Sequence, residues 1–267
     1  MSPNQDPNQN PNRTDHRGKT NKPDRIFSLD ISTISTGSKG NCYRITDVET
    51  VLMIEAGIPF KTIRQAFDFK LSCVAGCLVT HEHLDHAGAV KEILGAGVDC
   101  FMTAGTAKAL GLSGHRLHTV SALEQFRVGT FTVLPFTTQH DAAEPIGFLI
   151  QSAAAGVYRK LLFATDTYYI RHTFKGLTHI MIEANYRRDI LEQNIQSGRV
   201  PAAIRARIIK SHFEIENVKA FLGACDLSQC REIHLIHISG TNGDPMAFVD
   251  EVQAITGIPT YAHQGVR

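Results

Sequence analysis

A chain of 267 residues with 43% hydrophobic content can bury a large core, and it holds no apolar run of the roughly 18 residues that a membrane-spanning helix needs. Its formal charge of +1 is unevenly shared: residues 1–25 carry five Lys/Arg against three Asp, which leaves a body with 22 basic and 23 acidic residues. A body so near neutrality lacks the basic surplus with which proteins grip long duplex through many phosphates, so any nucleic-acid contact must come from a local patch.

In chain order, residues 1–25 are rich in Asn and Pro without apolar periodicity and read as a disordered tail, followed by one domain over 26–267. The tail lacks the apolar centre of a secretory signal, so a cytoplasmic protein is expected, with Cys42, Cys73, Cys77, Cys100, Cys225 and Cys230 as reduced thiols. The runs IFSLDIST, CYRIT and TVLMIEAG, separated by Gly/Ser/Asn turns, predict antiparallel strands. PFKTIRQAFDF (59–69) predicts a helix with Pro59 in its first turn and Ile63, Ala66 and Phe67 on its apolar stripe. GCLVT (76–80) is a short buried strand, and HAGAVKEILGAG continues as a helix ended by glycine. Beyond it, CFMT, FRVGTFTVLPF, IGFLIQS, YRKLLFATD and LTHIMIEA predict strands, while RRDILEQNIQSG, IENVKAFLGACD and PMAFVDEVQAITG predict helices. Strand series in each half with helices between them imply an α/β architecture of two facing sheets with helices outside.

Between the strand GCLVT and its helix stands His81-Glu82-His83-Leu84-Asp85-His86. A zincin helix needs a second His four positions after the first, where this chain has Asp85, and the P-C-x-x-C partner of a nucleobase deaminase is absent. In an extended segment alternate side chains point the same way, so His81 and His83 can clasp one ion while Asp85 and His86 face a second. Such imidazole and carboxylate donors suit zinc, manganese or iron. The competing reading, a solvated loop whose Asp85 only caps the helix, does not account for four ligand-type residues in six positions. Two sites need more donors, and His140, Asp166 and His237 each stand where an apolar run stops, with Asp166 the natural bridging carboxylate.

Taken together, H-x-H-x-D-H, a later His, a later Asp and a final His resemble the metallo-β-lactamase fold hydrolases over residues 26–263. GSKGN (37–41), HDAAEPIGF (140–148), ATD (164–166), IEAN (182–185), RARIIKSHF (205–213) and LIHIS (235–239) are most similar to the YycJ/WalJ group and to the branch that includes ribonuclease Z. The resemblance implies an αββα four-layer sandwich with two divalent metal ions, Zn2+ or Mn2+, along one edge. It implies His81, His83 and His140 on the first ion, Asp85, His86 and His237 on the second, and Asp166 between them. It also implies that His212 and Glu183 form an acid dyad beside the leaving group. Glu55 stands where the family commonly has Asp and is expected behind the ligands, Tyr186 stands where the close group often has His, and no separate tRNA-gripping arm is visible.

The chemistry expected is hydrolysis of phosphodiester bonds in DNA, RNA or cyclic nucleotides by a hydroxide activated between the metals, with Asp85 steering it and His212, oriented by Glu183, protonating the departing alkoxide. Arg187, Arg188, Arg199, Arg205, Arg207 and Lys210 outnumber Asp189 and Glu192 by four charges just before His212 and could hold phosphate, which favours nucleic acid or a nucleotide as substrate. The alternatives are hydrolysis of a thioester, lactone or other carbonyl compound at the same metals, or a metal-stabilised binding module without catalysis. SCVAGC and CDLSQC have the wrong spacing for zinc, and His115, His118, His172, His179, His234 and His263 have no evident partners.

Overall fold

A computed structural model describes residues 29–264, so the tail expected over 1–25 lies outside the described residues. The first sheet runs β1 (Asp30–Ser35), β2 (Cys42–Thr46), β3 (Val51–Ile54), β4 (Val74–Leu78), β5 (Cys100–Met102) and β6 (Leu117–Thr119), antiparallel as far as β3 and parallel from there. Its helices are α1 (Phe60–Ala66), α2 (Leu84–Ala87), α3 (Val90–Gly95) and α4 (Ala104–Ala109). The second sheet contains β7 (Phe126–Val128), β8 (Phe131–Thr137), β9 (Ile146–Ser152), β10 (Arg159–Ala164), β11 (His179–Glu183), β12 (Glu232–Ile236) and β13 (Thr260–Ala262) in sequential order, antiparallel to β10 and parallel beyond it. Four helices follow β11 or β12: α5 (Arg188–Gln196), α6 (Arg205–Ser211), α7 (Ile215–Ala224) and α8 (Pro245–Thr256).

Strand alternation sorts the side chains into layers. Tyr43, Ile45, Leu52, Ile54 and Leu78 from the first sheet meet Val133, Phe148, Ile150, Phe163 and Met181 from the second in one buried cluster, so the two sheets pack face to face. Met53 and Cys77, pointing the other way, pack with Ile63 of α1, Ile93 of α3 and Ala107 of α4. Ile180, Ile182, Ile233 and Leu235 likewise turn outward onto Val218 and Leu222 of α7 and Phe248 and Val252 of α8. The result is the αββα sandwich expected. Each fully buried Leu, Ile or Phe contributes on the order of 1.5–3 kcal/mol, so the inter-sheet cluster and the two sheet–helix clusters all add to cohesion.

Three expectations change. FRVGTFTVLPF is a hairpin rather than one strand, since Gly129 takes φ +56° between β7 and β8. HAGAVKEILGAG is two helices, because Asn41 N–H captures the Asp85 carbonyl at 2.7 Å and Ala89 N–H turns instead to Ala56 O at 2.8 Å. The short β6 and β13, together with α4 and α6, lie outside the predicted elements. All six cysteines are free, and no helix among the described residues is long and apolar enough to cross a membrane.

Candidate metal centre

The parallel strands β3, β4, β10, β11 and β12 end at one edge of the sandwich, and each delivers a polar residue there: Glu55, the His81–His86 loop, Asp166, Glu183 and His237. β8, antiparallel to β9 and hence parallel to β10, brings His140 to the same edge. Regular strand geometry would send successive side chains to opposite faces, and the chain escapes it by left-handed backbone at Glu55 (φ +63°), Asp166 (φ +45°) and His237 (φ +53°). Non-glycine residues in this region cost on the order of 1–2 kcal/mol each and gather at functional sites.

The His loop is clamped from below by backbone. Asn41 donates to Asp85 O through both N–H and Nδ2, Ala56 N–H donates to His86 O at 2.8 Å, and Gly57 N–H donates to Asn41 O at 2.9 Å. A Cβ on Gly57 would stand 1.7 Å from Asp85 O, so only glycine lets the loop lie this close. Thr80 Oγ1 meets His81 Nδ1 at 2.9 Å, Ser211 O meets His140 Nδ1 at 3.1 Å, and Asn185 Nδ2 meets His237 Nδ1 at 3.2 Å, which fixes three imidazoles by their rear nitrogens. Glu55, fully buried, accepts from Thr80 N–H at 3.3 Å and lies 3.7 Å behind His86 Nδ1, so it backs His86 rather than joining the grouped donors.

The donor atoms form three overlapping groups, each with its atoms within 4.8 Å of one another: His81, His83, His140 and Asp166; Asp85, His86, Asp166 and His237; and Asp166, Glu183, His212 and His237. Every residue expected at the site is thus gathered at one place, with Asp166 common to all three groups. His83 Nδ1 stands 3.1 Å from His81 Nε2 and 3.2 Å from His140 Nε2, and Asp166 Oδ2 is 3.6 Å from both of the latter atoms. These separations match the edge of about 3.3 Å in a tetrahedron of zinc–ligand bonds near 2.0–2.1 Å. Asp166 Oδ1 and His237 Nε2 are buried without a hydrogen-bond partner, as donors facing a cation would be. The chemistry of the set therefore fits divalent cations.

Electrostatics point the same way. Burial, reinforced by His86, pushes His81 well below its ordinary value, and burial also lowers His140, so both favour the neutral imidazole that binds metal. Burial opposes ionisation of Asp166, but His237 and His86 outweigh it and hold the carboxyl well below the usual range. His212 Nδ1 is 2.7 Å from Glu183 Oε1. Burial works against its charged form, yet Glu183 and then Asp166 prevail and carry His212 up to about 9.

The donors open into a cavity of about 390 Å³ lined by His83, Asp85, His140, Asp166, His212 and His237, with Arg207 on its wall. The basic stretch before His212 is not a single phosphate patch, which corrects the expectation for it. Arg187 pairs with Glu251 and lies 5.4 Å from the Phe248 ring centroid, and Arg205 Nε donates to Glu192 at 2.8 Å. Arg207 and, beside the cavity, Lys210 remain turned to the substrate side. Tyr186 is buried against α5. Four histidines without evident partners in the sequence have them: His179 and His234 flank Glu232 at 3.5 and 3.4 Å, His263 meets His234 at 2.8 Å, and His118 is 3.6 Å from Asp99. The supports Asn41, Thr80 and Asn185 escaped assignment, although GSKGN and IEAN had marked two of their neighbourhoods.

A family model described as the Beta-lactamase superfamily domain matches residues 59–266. Exodeoxyribonuclease YycJ of Bacillus anthracis is 28% identical over 231 residues, covering 80% of this chain and 84% of that protein. Among solved structures, the metallo-β-lactamase fold protein YhfI of Bacillus subtilis superposes with a TM-score of 0.68 at 12% identity, covering 90% of this chain and 98% of that one. Human tRNase Z, short form, gives a TM-score of 0.60 at 11% identity, covering 89% and 97%.

Proposed function

The chain belongs to the β-lactamase superfamily, and from that premise we propose that it is a metal-dependent hydrolase that cleaves phosphodiester bonds in nucleic acid. The observation that carries this reading is the Glu183–His212 pair, 2.7 Å apart, in the same cavity as the His/Asp cluster. A thioester expels a thiolate that needs little help, whereas the alkoxide departing from a phosphodiester gains from a positioned acid. The name of the Bacillus anthracis relative supports DNA, attacked from an end, as the substrate within this class.

Two cations, zinc or manganese, are assigned to His81, His83, His140 and Asp166 and to Asp85, His86, Asp166 and His237, and would supply Lewis-acid activation of water and countercharge for a phosphoryl oxygen. Around them the side chains divide the proton work. Asp85, 30% exposed at the cavity wall, would orient the attacking water and take up its proton. Glu183 holds His212 through Nδ1, which leaves Nε2 as the nitrogen that would protonate the leaving oxygen. Glu183 also accepts from Thr167 N–H at 3.0 Å and Phe213 N–H at 3.2 Å, which fixes the carboxylate and therefore the ring. Arg207 can bind a non-bridging phosphate oxygen bidentately from the wall.

The test is turnover by the purified protein, loaded with manganese or zinc, on bis-p-nitrophenyl phosphate, on DNA and RNA oligonucleotides and on a thioester, with Asp85→Ala as the blank. Phosphodiester turnover is expected; turnover of the thioester alone overturns the reading.

A further inference from the structure

We propose that the groove between α6 and the connection from β8 to β9 is a track for one unpaired strand of nucleic acid leading from the metal centre, with Arg207 and Lys210 on its phosphates and Tyr168 under a base. The inference rests on the phosphodiesterase reading and names the part of the substrate beyond the cut bond.

The groove has a volume of about 720 Å³ and shares His140, Asp141, Arg207 and Ser211 with the metal cavity, so the two are one continuous depression. Arg207 and Lys210 are exposed and three residues apart on α6, a spacing that puts them on one side of the helix. Among the described residues no carboxylate stands at ion-pair distance from either, in contrast to Arg187 and Arg205 on the neighbouring stretch. Asp141 in the shared wall is the one acid of the groove lining, which leaves its balance at one positive charge.

Tyr168 lines the same groove and is 39% exposed, so its ring is open to a ligand there. Its backbone is held: Tyr168 N–H donates to Gln139 O at 3.2 Å, and Gln139 N–H donates to Thr167 Oγ1 at 2.9 Å. Thr167 N–H in turn donates to Glu183 at 3.0 Å, so the residue next to Tyr168 in the chain is tied directly to the Glu183–His212 pair, and Tyr168 stands two residues from Asp166. An exposed ring on a held backbone beside two unpaired cations is the combination that binds single strands, because bases stack on an aromatic only when unpaired. Two phosphate contacts are too few to grip duplex, which agrees with the near-neutral body of the chain.

The experiment measures fluorescence anisotropy of the metal-loaded, full-length protein with labelled phosphorothioate ten-residue strands of DNA and of RNA, and with the DNA as blunt duplex. Tyr168→Ala should weaken single-strand binding between about five- and hundredfold, and Tyr168→Phe should hold it within about twofold. Lys210→Ala should lower the slope of log affinity against log salt by about 0.7. The duplex should bind at least about tenfold more weakly than the strand, and the difference between the DNA and RNA arms reports which sugar the track accepts. Single-strand affinity unchanged in both alanine variants, or duplex bound as tightly as the strand, overturns the track. Should Tyr168→Ala fail to fold, photocrosslinking of a bromouridine-substituted strand to the wild-type protein decides instead, with the adduct expected on Tyr168 and an adduct elsewhere counting against it. Hydrolysis of bis-p-nitrophenyl phosphate by the wild type judges the phosphodiesterase reading separately, so turnover with a track insensitive to both substitutions condemns the track alone.

Discussion

Strands β11 and β12 carry histidine and glutamate at both ends, and the two ends have become different things. At the carboxyl end, Glu183 and His237 join six further ligand-type residues whose donor atoms converge on Asp166. At the amino end, His179, Glu232 and His234 lie within regular strand and His263 just beyond β13. There one carboxylate faces several imidazoles, Thr178 Oγ1 meets His179 Nδ1 at 2.7 Å, and among the described residues no group of donors draws within 4.8 Å. Burial pushes His179 and His263 down to about 4, so they rest neutral and pair with hydroxyl and imidazole neighbours. A pleated strand spaces its side chains along a face, whereas residues past a strand end can turn toward a common point. Convergence, rather than the number of histidines, separates a candidate metal centre from a polar seam.

Substitutions at the two ends can break that contrast. The largest effect belongs to Asp166→Ala, which removes the carboxylate shared by all three donor groups: bound metal should fall below one ion per chain by elemental analysis, and turnover by at least about a thousandfold. His234→Ala at the opposite end should leave metal content unchanged, and a loss there would refute the distinction. His212→Ala should lower phosphodiester turnover by about a hundred- to ten-thousandfold with metal content intact. Glu55→Gln, acting through His86, should weaken metal affinity about ten- to hundredfold in chelator competition.

The smallest of the four effects is on stability. His179 is 1% exposed, and its folded value of about 4 lies below the ordinary 6.5. As pH falls through 6.5 the unfolded chain takes the proton first, so stability declines from there until the folded state titrates near 4. The decline from this residue is roughly 3 kcal/mol, and His179→Gln should flatten the melting temperature over the same window.

The H-x-H-x-D-H loop and the alternating strands were legible because their information is local: six residues hold four donors, and the period of two sorts the layers. The later donors could be found only as interruptions at the ends of apolar runs. What stayed hidden acts over distance. The single-turn α2 depends on Asn41 taking a carbonyl 44 residues away, and Arg187 leaves the supposed phosphate patch for Glu251, 64 residues on. β6 and β13, three residues each, carry too little pattern to register. The family resemblance supplied the pairing of His212 with Glu183, which spacing could not have shown.

The left-handed backbone at Glu55, Asp166 and His237 sets robustness against chemistry. Glycine at any of the three would relax the chain while deleting the group it presents, so Asp166→Gly should melt about 1 kcal/mol above Asp166→Ala although both are inert. A screen for heat resistance alone would therefore drift toward a sturdier, silent protein, and the tension held at these three corners records what selection has had to defend.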